Sequence, residues 1–244
     1  MKPAPRLFLD HSLSRHGEIA LSDDQRHYLV NVLRLVSGDP VRVFNAKDGE
    51  WLAHLATVTK RQATLRCERH VADVKLPPDI DYLFAPLKHA RLDYVVQKAT
   101  ELGVRRLRPV LTHRTISERI NLDRMRSNVV EAAEQCNLVF VPEIMEPHRL
   151  TDILADWPAT RRLVFCDETA PVHDPLAALE GLSLPAAVII GPEGGFTVEE
   201  RDMLRATPAA TAISLGPRIM RADTAAVAAL TLVQAKLGDW HQER

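Results

Sequence analysis

The chain has 244 residues, of which 46% are hydrophobic and 26% charged, with a formal net charge of −1. That balance excludes a disordered chain, and the length is ample for two domains. Its three cysteines, Cys67, Cys136 and Cys166, lie far apart and form no CxxC, which excludes a disulfide framework or a structural zinc site and suits a reducing cytosol. No apolar run approaches the ~20 residues of a membrane helix. The first residues, Met-Lys-Pro-Ala-Pro-Arg, lack the apolar centre of a signal peptide, so a cytoplasmic protein without membrane or metal is expected.

The charge is unevenly spread. Residues 1–75 hold 12 Lys and Arg against 9 Asp and Glu, a balance of +3, and the remainder is −4. A mildly basic first part hints at a polyanionic partner.

In chain order, residues 6–10 form a short apolar alternation. Ser22-Asp23-Asp24-Gln25 matches a capping box and is followed by Tyr28, Leu29, Val32, Leu33 and Leu35 at helical spacing. Residues 40–45 and 51–59 flank Lys47-Asp48-Gly49, a hairpin signal, and 63–70 alternate again. These elements predict a small β-rich domain over residues 1–75, closed as a barrel. Leu76-Pro77-Pro78 is a stiff break, and a second domain over 76–244 follows it.

In the second domain short apolar runs alternate with helical patterns. Strands are predicted at 80–86, 106–111, 163–167, 186–191 and 212–215, and helices at 91–102, 122–136, 197–205 and 223–237. This alternation predicts an α/β domain with a mostly parallel sheet, whose ligands settle at the carboxyl ends of the strands.

Two loops carry the candidate chemistry. Ile190-Gly191-Pro192-Glu193-Gly194-Gly195-Phe196 follows the most apolar strand, and its glycines permit positive φ and close approach of a ligand to the backbone. It matches neither phosphate fingerprint, and its acidic residues suit a cationic or polar ligand better than a phosphate. A tight turn without a ligand is the alternative. The second loop, residues 215–225, leads into an Ala-rich helix. Asp223 or Thr224 is a candidate cap there, whereas Arg221 has no evident packing role.

GPEGGF followed by LGPRIMRADTA resembles the knotted SPOUT methyltransferases, and within them the RsmE type. Lys88 with Lys98-Ala99-Thr100-Glu101-Leu102-Gly103 resembles that family's KxxELG segment. Glu131-Ala132-Ala133-Glu134-Gln135 resembles its EAxEQ helix, and His27 with Val32-Leu33-Arg34 resembles its HxxxVLR. The likeness spans nearly the whole chain. It departs at Met220, Ala222 and Asp223, and at residues 113–115 and 137–139.

The resemblance implies an N-terminal PUA-like β-barrel, a C-terminal knotted SPOUT α/β methyltransferase domain with a trefoil knot, and a homodimer. It implies methyl transfer from S-adenosylmethionine to N3 of uridine 1498 of 16S rRNA in the 30S subunit. The implied donor site comprises Gly191, Pro192, Glu193, Gly194, Gly195, Leu215, Gly216, Ile219, Met220, Arg221, Thr224 and Ala225. His27, Arg34, Lys88, Arg114 and Gln135 would meet RNA. Loss of the N3 proton suits a positioned base, Glu193 or Asp223, and charge developing on the uracil oxygens suits Arg221. Loop shaping and helix capping are the alternatives for the two acids.

Seven arginines lie between residues 105 and 126 against Glu118 and Asp123, a run read as a phosphate-binding face, with a solvated surface as the alternative. Two other functions remain open: a SPOUT methyltransferase for another RNA such as a tRNA, and a non-catalytic RNA-binding assembly factor.

Overall fold

The computed structural model describes residues 4–88, 90–117, 119–167, 169–170 and 174–241. Glu118, one of the two acids in the arginine run, lies outside them, as do Met1, Lys2 and Pro3. The chain divides into two compact units, Met1–Leu76 with Ala133–Val141, and Pro77–Ala132 with Pro142–Arg244.

The first unit contains β1 (Arg6–Phe8), β2 (Glu18–Ala20), α1 (Asp23–Arg26), a π-helix (His27–Val32), β3 (Pro40–Asn45), β4 (Gly49–Val58) and β5 (Ala63–Ala72). The strands form one sheet in the order β1-β3-β4-β5-β2, with β1 parallel to β3 and the other pairs antiparallel. Alternate residues Val41, Val43, Ala53, Leu55, Leu65 and Cys67 point into a shared apolar core. The predicted hairpin turn is built by Asn45, whose Oδ1 accepts from the backbone N–H of Lys47 and Asp48 at 2.9 and 2.5 Å. Gly49 closes it at φ +77°, where a Cβ would stand 2.3 Å from the Ala72 carbonyl oxygen.

The capping box forms as predicted, with Ser22 and Gln25 exchanging hydrogen bonds. The helix beyond it does not remain α. Its hydrogen bonds widen, Leu33 N–H reaching Tyr28 O, and it stops at Arg34 with φ +59°. The wider turn leaves Val32 and Leu33 exposed although their spacing suits an α-helical apolar face.

Ala133–Val141, placed by the sequence reading in the second domain, packs with the first unit. Helical carbonyls at a C-terminus lack intrahelical partners, and Arg6 supplies donors: its guanidinium bonds to the carbonyls of Ala133 (2.8 Å), Glu134 (3.1 Å) and Leu138 (2.9 Å). Glu50, 1% exposed, accepts from Arg6 Nε at 2.6 Å and also pairs with Arg42.

The second unit runs β6 (Ile80–Phe84), α2 (Ala90–Glu101), β7 (Arg106–Leu111), α3 (Leu122–Gln135, its last turn counted with the first unit), β8 (Glu143–Ile144), β9 (His148–Arg149) and α4 (Leu150–Ala155). It continues through β10 (Arg162–Cys166), α5 (Pro175–Ala178), β11 (Ala186–Ile190), α6 (Val198–Ala206), β12 (Ala210–Ile213) and α7 (Ala222–Leu237). The strand order is β12-β10-β11-β6-β7-β8, with β9 also on β7, and every pairing is parallel. Central strands β6 and β11 are buried along their whole length, as a sheet covered on both faces requires. Leu83, Ile189, Leu163 and Phe165 meet α4 and α6 residues Ile153 and Leu204 in one core. α7 packs on α2 and β11 rather than beside β12. The β12–α7 connection therefore runs back across the strand ends, over the carboxyl termini of β10 and β11. No described helix is long and apolar enough to cross a membrane.

Candidate active site

Three consecutive strands of the sheet, β12, β10 and β11, end side by side, and the segments leaving them enclose a cleft of about 640 Å³. Its walls are residues 190–196 after β11 and 215–222 after β12, with Cys166 and Asp167 from the end of β10. Arg91 from the first turn of α2 and Arg114 from the segment after β7 also line it.

The glycine loop is shaped from within and from outside. Gly191 leaves little room for a side chain: a Cβ would lie 3.0–3.2 Å from three atoms of the Phe196 ring, which is buried in the core beneath the loop and would have to give way. Gly195 and Gly216 hold φ of +67° and +95°, a region that glycine enters without steric cost. At Gly194 the constraint is slight, since its Cβ would first meet the side chain of Arg114 at 3.4 Å. The loop then enters α6 through a second capping box between Thr197 and Glu200. Glu200, buried, also accepts from the His113 N–H at 2.7 Å, which ties the loop's exit to the segment carrying Arg114.

Arginines hold the loop at its open side. Arg114 Nη1 donates to the Gly194 carbonyl at 2.7 Å. Arg91 pairs with Glu193 through Nη1, and its Nε lies 3.9 Å from Asp223 Oδ2. On the cleft floor, burial pushes the Cys166 thiol up to about 12, so it is protonated and a poor nucleophile. For the adjacent Asp167, burial works upward, but hydrogen bonds from Thr169 and Arg205 outweigh it and hold its carboxyl below the ordinary value. Tyr82, fully buried, is raised well above the usual phenol by burial first, with coulombic repulsion from Cys166 and Asp223 adding to it.

The structure brings together Gly191, Pro192, Glu193, Gly194, Gly195, Leu215, Gly216, Ile219, Met220, Arg221 and Ala225, all of which line the cleft. Thr224 is exposed in the first turn of α7. α7 begins one residue earlier than expected, with Arg221 at the N-cap position and its side chain making no capping bond. Asp223 is thus not the cap; it lies in the first turn, its Oδ1 accepting from the Thr224 N–H at 2.8 Å. Ile219 projects into solvent at 95% exposure.

Of the residues expected to face RNA, His27, Arg34 and Gln135 are exposed in the first unit and Lys88 in the second. Arg114 is also exposed, yet it belongs to the cleft wall. The arginine run does not form one face. Arg106 binds Asp81 at 2.6 Å and Asp79 at 2.5 Å, Arg108 binds Asp81 at 3.3 Å, and Arg105 lies 3.9 Å from Asp79. These three, with Arg161, neutralise Asp81, which is 1% exposed, and Asp79 beside it. Arg124 is held by Asp93. Arg119 and Arg126 are exposed.

The sequence reading missed Arg91, Cys166 and Asp167 as site residues. Cys166-Asp167 had one available signal, its position at the end of a predicted strand. Among the described residues, no group of His, Cys, Asp and Glu side chains could hold a metal ion.

The domain with this parallel sheet and glycine-loop cleft has the SPOUT methyltransferase fold. Residues 74–234 match the RNA methyltransferase domain family, and residues 21–67 the RNA methyltransferase PUA domain. The chain belongs to this RNA methyltransferase family, in its RsmE branch. It is 32% identical to ribosomal RNA small subunit methyltransferase E of Synechocystis over 90% of this chain and 73% of that one. The corresponding protein of Rickettsia conorii is 28% identical, with 94% of each chain covered. The crystal structure of the Neisseria gonorrhoeae enzyme, bound to S-adenosylmethionine, superposes with a TM-score of 0.88 at 26% identity, covering 98% of this chain and all of that one.

Proposed function

We propose that the protein transfers a methyl group from S-adenosylmethionine to N3 of uridine 1498 of 16S rRNA in the small ribosomal subunit. The observation that carries this reading is the convergence of the two glycine-bearing loops and Arg221 on one cleft at the carboxyl ends of a parallel sheet.

The residues present fit the donor. The cleft volume lies in the roughly 300–1,000 Å³ range of small-molecule sites. Its walls are rich in backbone, and Gly191, Gly195 and Gly216 each occupy a position that a larger residue would strain or fill. Residues 190–196 and 215–222 would hold the adenosine and amino-acid ends, with the carboxylates of Asp167 and Glu193 facing a cationic molecule. Bound there, the donor supplies an activated methyl group on a sulfonium.

The protein's own part is positioning, which can contribute roughly 7–11 kcal/mol to such a transfer. Glu193 or Asp223 takes the N3 proton, and Arg221, exposed at the helix start, stabilises charge on the uracil oxygens. His27, Arg34, Lys88, Arg114 and Gln135 contact the RNA. The same reading places the enzyme in the cytoplasm as a homodimer with a trefoil knot in residues 76–244. The bare apolar tip of Ile219 at the cleft supports a second copy covering the rim.

The test is mass mapping of methylated nucleotides in 16S rRNA from cells with and without the gene. The expected result is loss of one N3-methyluridine. An unchanged methylation map overturns the target, and light scattering at about 27 kDa overturns the dimer.

A further inference from the structure

We propose that Arg91 is a positioning residue that fastens the two donor loops to each other. The inference rests on the donor-binding reading above and adds a residue that neither loop contains. Glu193 belongs to the loop after β11, whereas Asp223 belongs to the first turn of α7 and follows the loop after β12. The two loops share no stretch of chain. Arg91, rising from the first turn of α2, pairs with Glu193 through Nη1 and presents Nε to Asp223 at 3.9 Å. One planar guanidinium therefore spans both walls of the cleft, which a lysine ammonium, a point charge, cannot reproduce. Without it, two carboxylates of like charge face each other across the opening.

Neighbouring contacts make Arg91 the link that matters. Arg114 grips the same loop, but through the Gly194 carbonyl and without reaching α7. Glu200 and Thr197 fix the exit of the loop into α6, and Phe196 and the Gly195 N–H to Pro192 carbonyl bond shape it from within, so that Arg91 is the contact that ties it to α7. Arg91 is anchored in α2, whose Val95, Val96 and Ala99 are fully buried, so its backbone is a fixed post.

A clamp and a simple charge make opposite predictions. The donor is a cation at its sulfur, so deleting a positive charge alone should tighten its binding. Deleting a clamp should weaken it, because the walls must then be ordered at the moment of binding. The demethylated product, S-adenosylhomocysteine, lacks the sulfonium charge and separates the two.

The experiment is calorimetric titration of the full-length protein and of Arg91→Ala, Arg91→Lys, Glu193→Gln and the Arg91→Ala/Glu193→Gln double variant, with both ligands. Each variant is first shown to keep its thermal unfolding midpoint. Arg91→Ala should bind both ligands about tenfold more weakly and by the same factor, the scale of one charge-assisted hydrogen bond. Arg91→Lys should recover only part of the loss, and adding Glu193→Gln to Arg91→Ala should cost little more for S-adenosylhomocysteine, which carries no sulfonium charge for Glu193 to face. Tighter or unchanged S-adenosylmethionine binding in Arg91→Ala overturns the clamp, as does full recovery by lysine. Failure of the unaltered protein to bind either ligand instead overturns the donor-site reading.

Discussion

Gly191 and Gly194 stand three residues apart in one loop and obey different constraints. The first is pressed against a buried phenyl ring, while the second would meet only Cδ and Cβ of Arg114, at 3.4 and 3.7 Å, an ordinary van der Waals distance. Gly191→Ala should displace Phe196 and weaken S-adenosylmethionine binding by about tenfold, the scale of modest overpacking, while Gly194→Ala binds nearly normally. Equal losses in a titration of the two variants would show that close packing at Gly191 is not what shapes the site. Arg221 calls for a kinetic test. It caps nothing, lines the cleft and projects from the start of α7. Arg221→Ala should bind donor normally and lose about 100-fold or more in kcat, as expected for removing one charge-stabilising donor. A dead Asp223→Asn beside a nearly normal Arg221→Ala in single-turnover assays would reverse the assignment. The loops were singled out in the sequence because their glycines follow predicted strands, with a ligand-free turn as the alternative until the family resemblance joined the two. Arg91 was not, since one arginine on an amphipathic helix resembles any solvated one, and only the fold brings it to Glu193.

At the level of elements, strands and helices with strong periodicity were readable to within a few residues, β3 and β7 at both ends. The short β8, β9, α4 and α5 were not, because two to six residues hold no period and exist through their neighbours. The arginine run was misread for a related reason. Spacing displays charge but not its partner, and the partners of Arg105, Arg106 and Arg108 lie some 25 residues earlier, in and beside β6. This arrangement has a pH signature at Asp79. Burial acts to raise its carboxyl, but Arg161, Arg106 and Arg105 outweigh that and hold it below the ordinary value. A depressed folded value means stability that is present above the unfolded value near 4 and lost as pH falls through the folded one. Asp79→Asn should therefore be about 1 kcal/mol less stable than the unaltered protein at pH 7 by urea unfolding, with the gap closing below about pH 4. A gap independent of pH would mean that Asp79 acts by packing rather than by charge.

For the whole molecule, the proline break at Leu76-Pro77-Pro78 was read as a boundary between residues 1–75 and 76–244, whereas the compact units are Met1–Leu76 with Ala133–Val141 and Pro77–Ala132 with Pro142–Arg244. What no local pattern announced is the return of Ala133–Val141 to the first unit, because its contacts, from the Arg6 guanidinium and the Phe8 N–H, come from more than a hundred residues upstream. The same separation of free from committed charge decides how RNA should bind. Cations already satisfied by carboxylates neutralise few phosphates, whereas each phosphate neutralised by an exposed one frees about 0.7–0.9 counterions from the nucleic acid. Affinity for small ribosomal subunits should fall steeply with salt. Arg34→Ala and Lys88→Ala, at exposed positions in separate units, should each make the slope of log K against log salt shallower by about one. Arg106→Ala should leave that slope unchanged and lower the unfolding midpoint instead, since it strips a partner from buried Asp81. Arg114→Ala should weaken RNA and donor together, because its guanidinium holds the Gly194 carbonyl. If filter binding across a salt series gave Arg106→Ala the shallower slope and left Arg34→Ala and Lys88→Ala alone, the RNA would be meeting the 105–108 edge of the sheet, and the exposed-cation reading would be wrong.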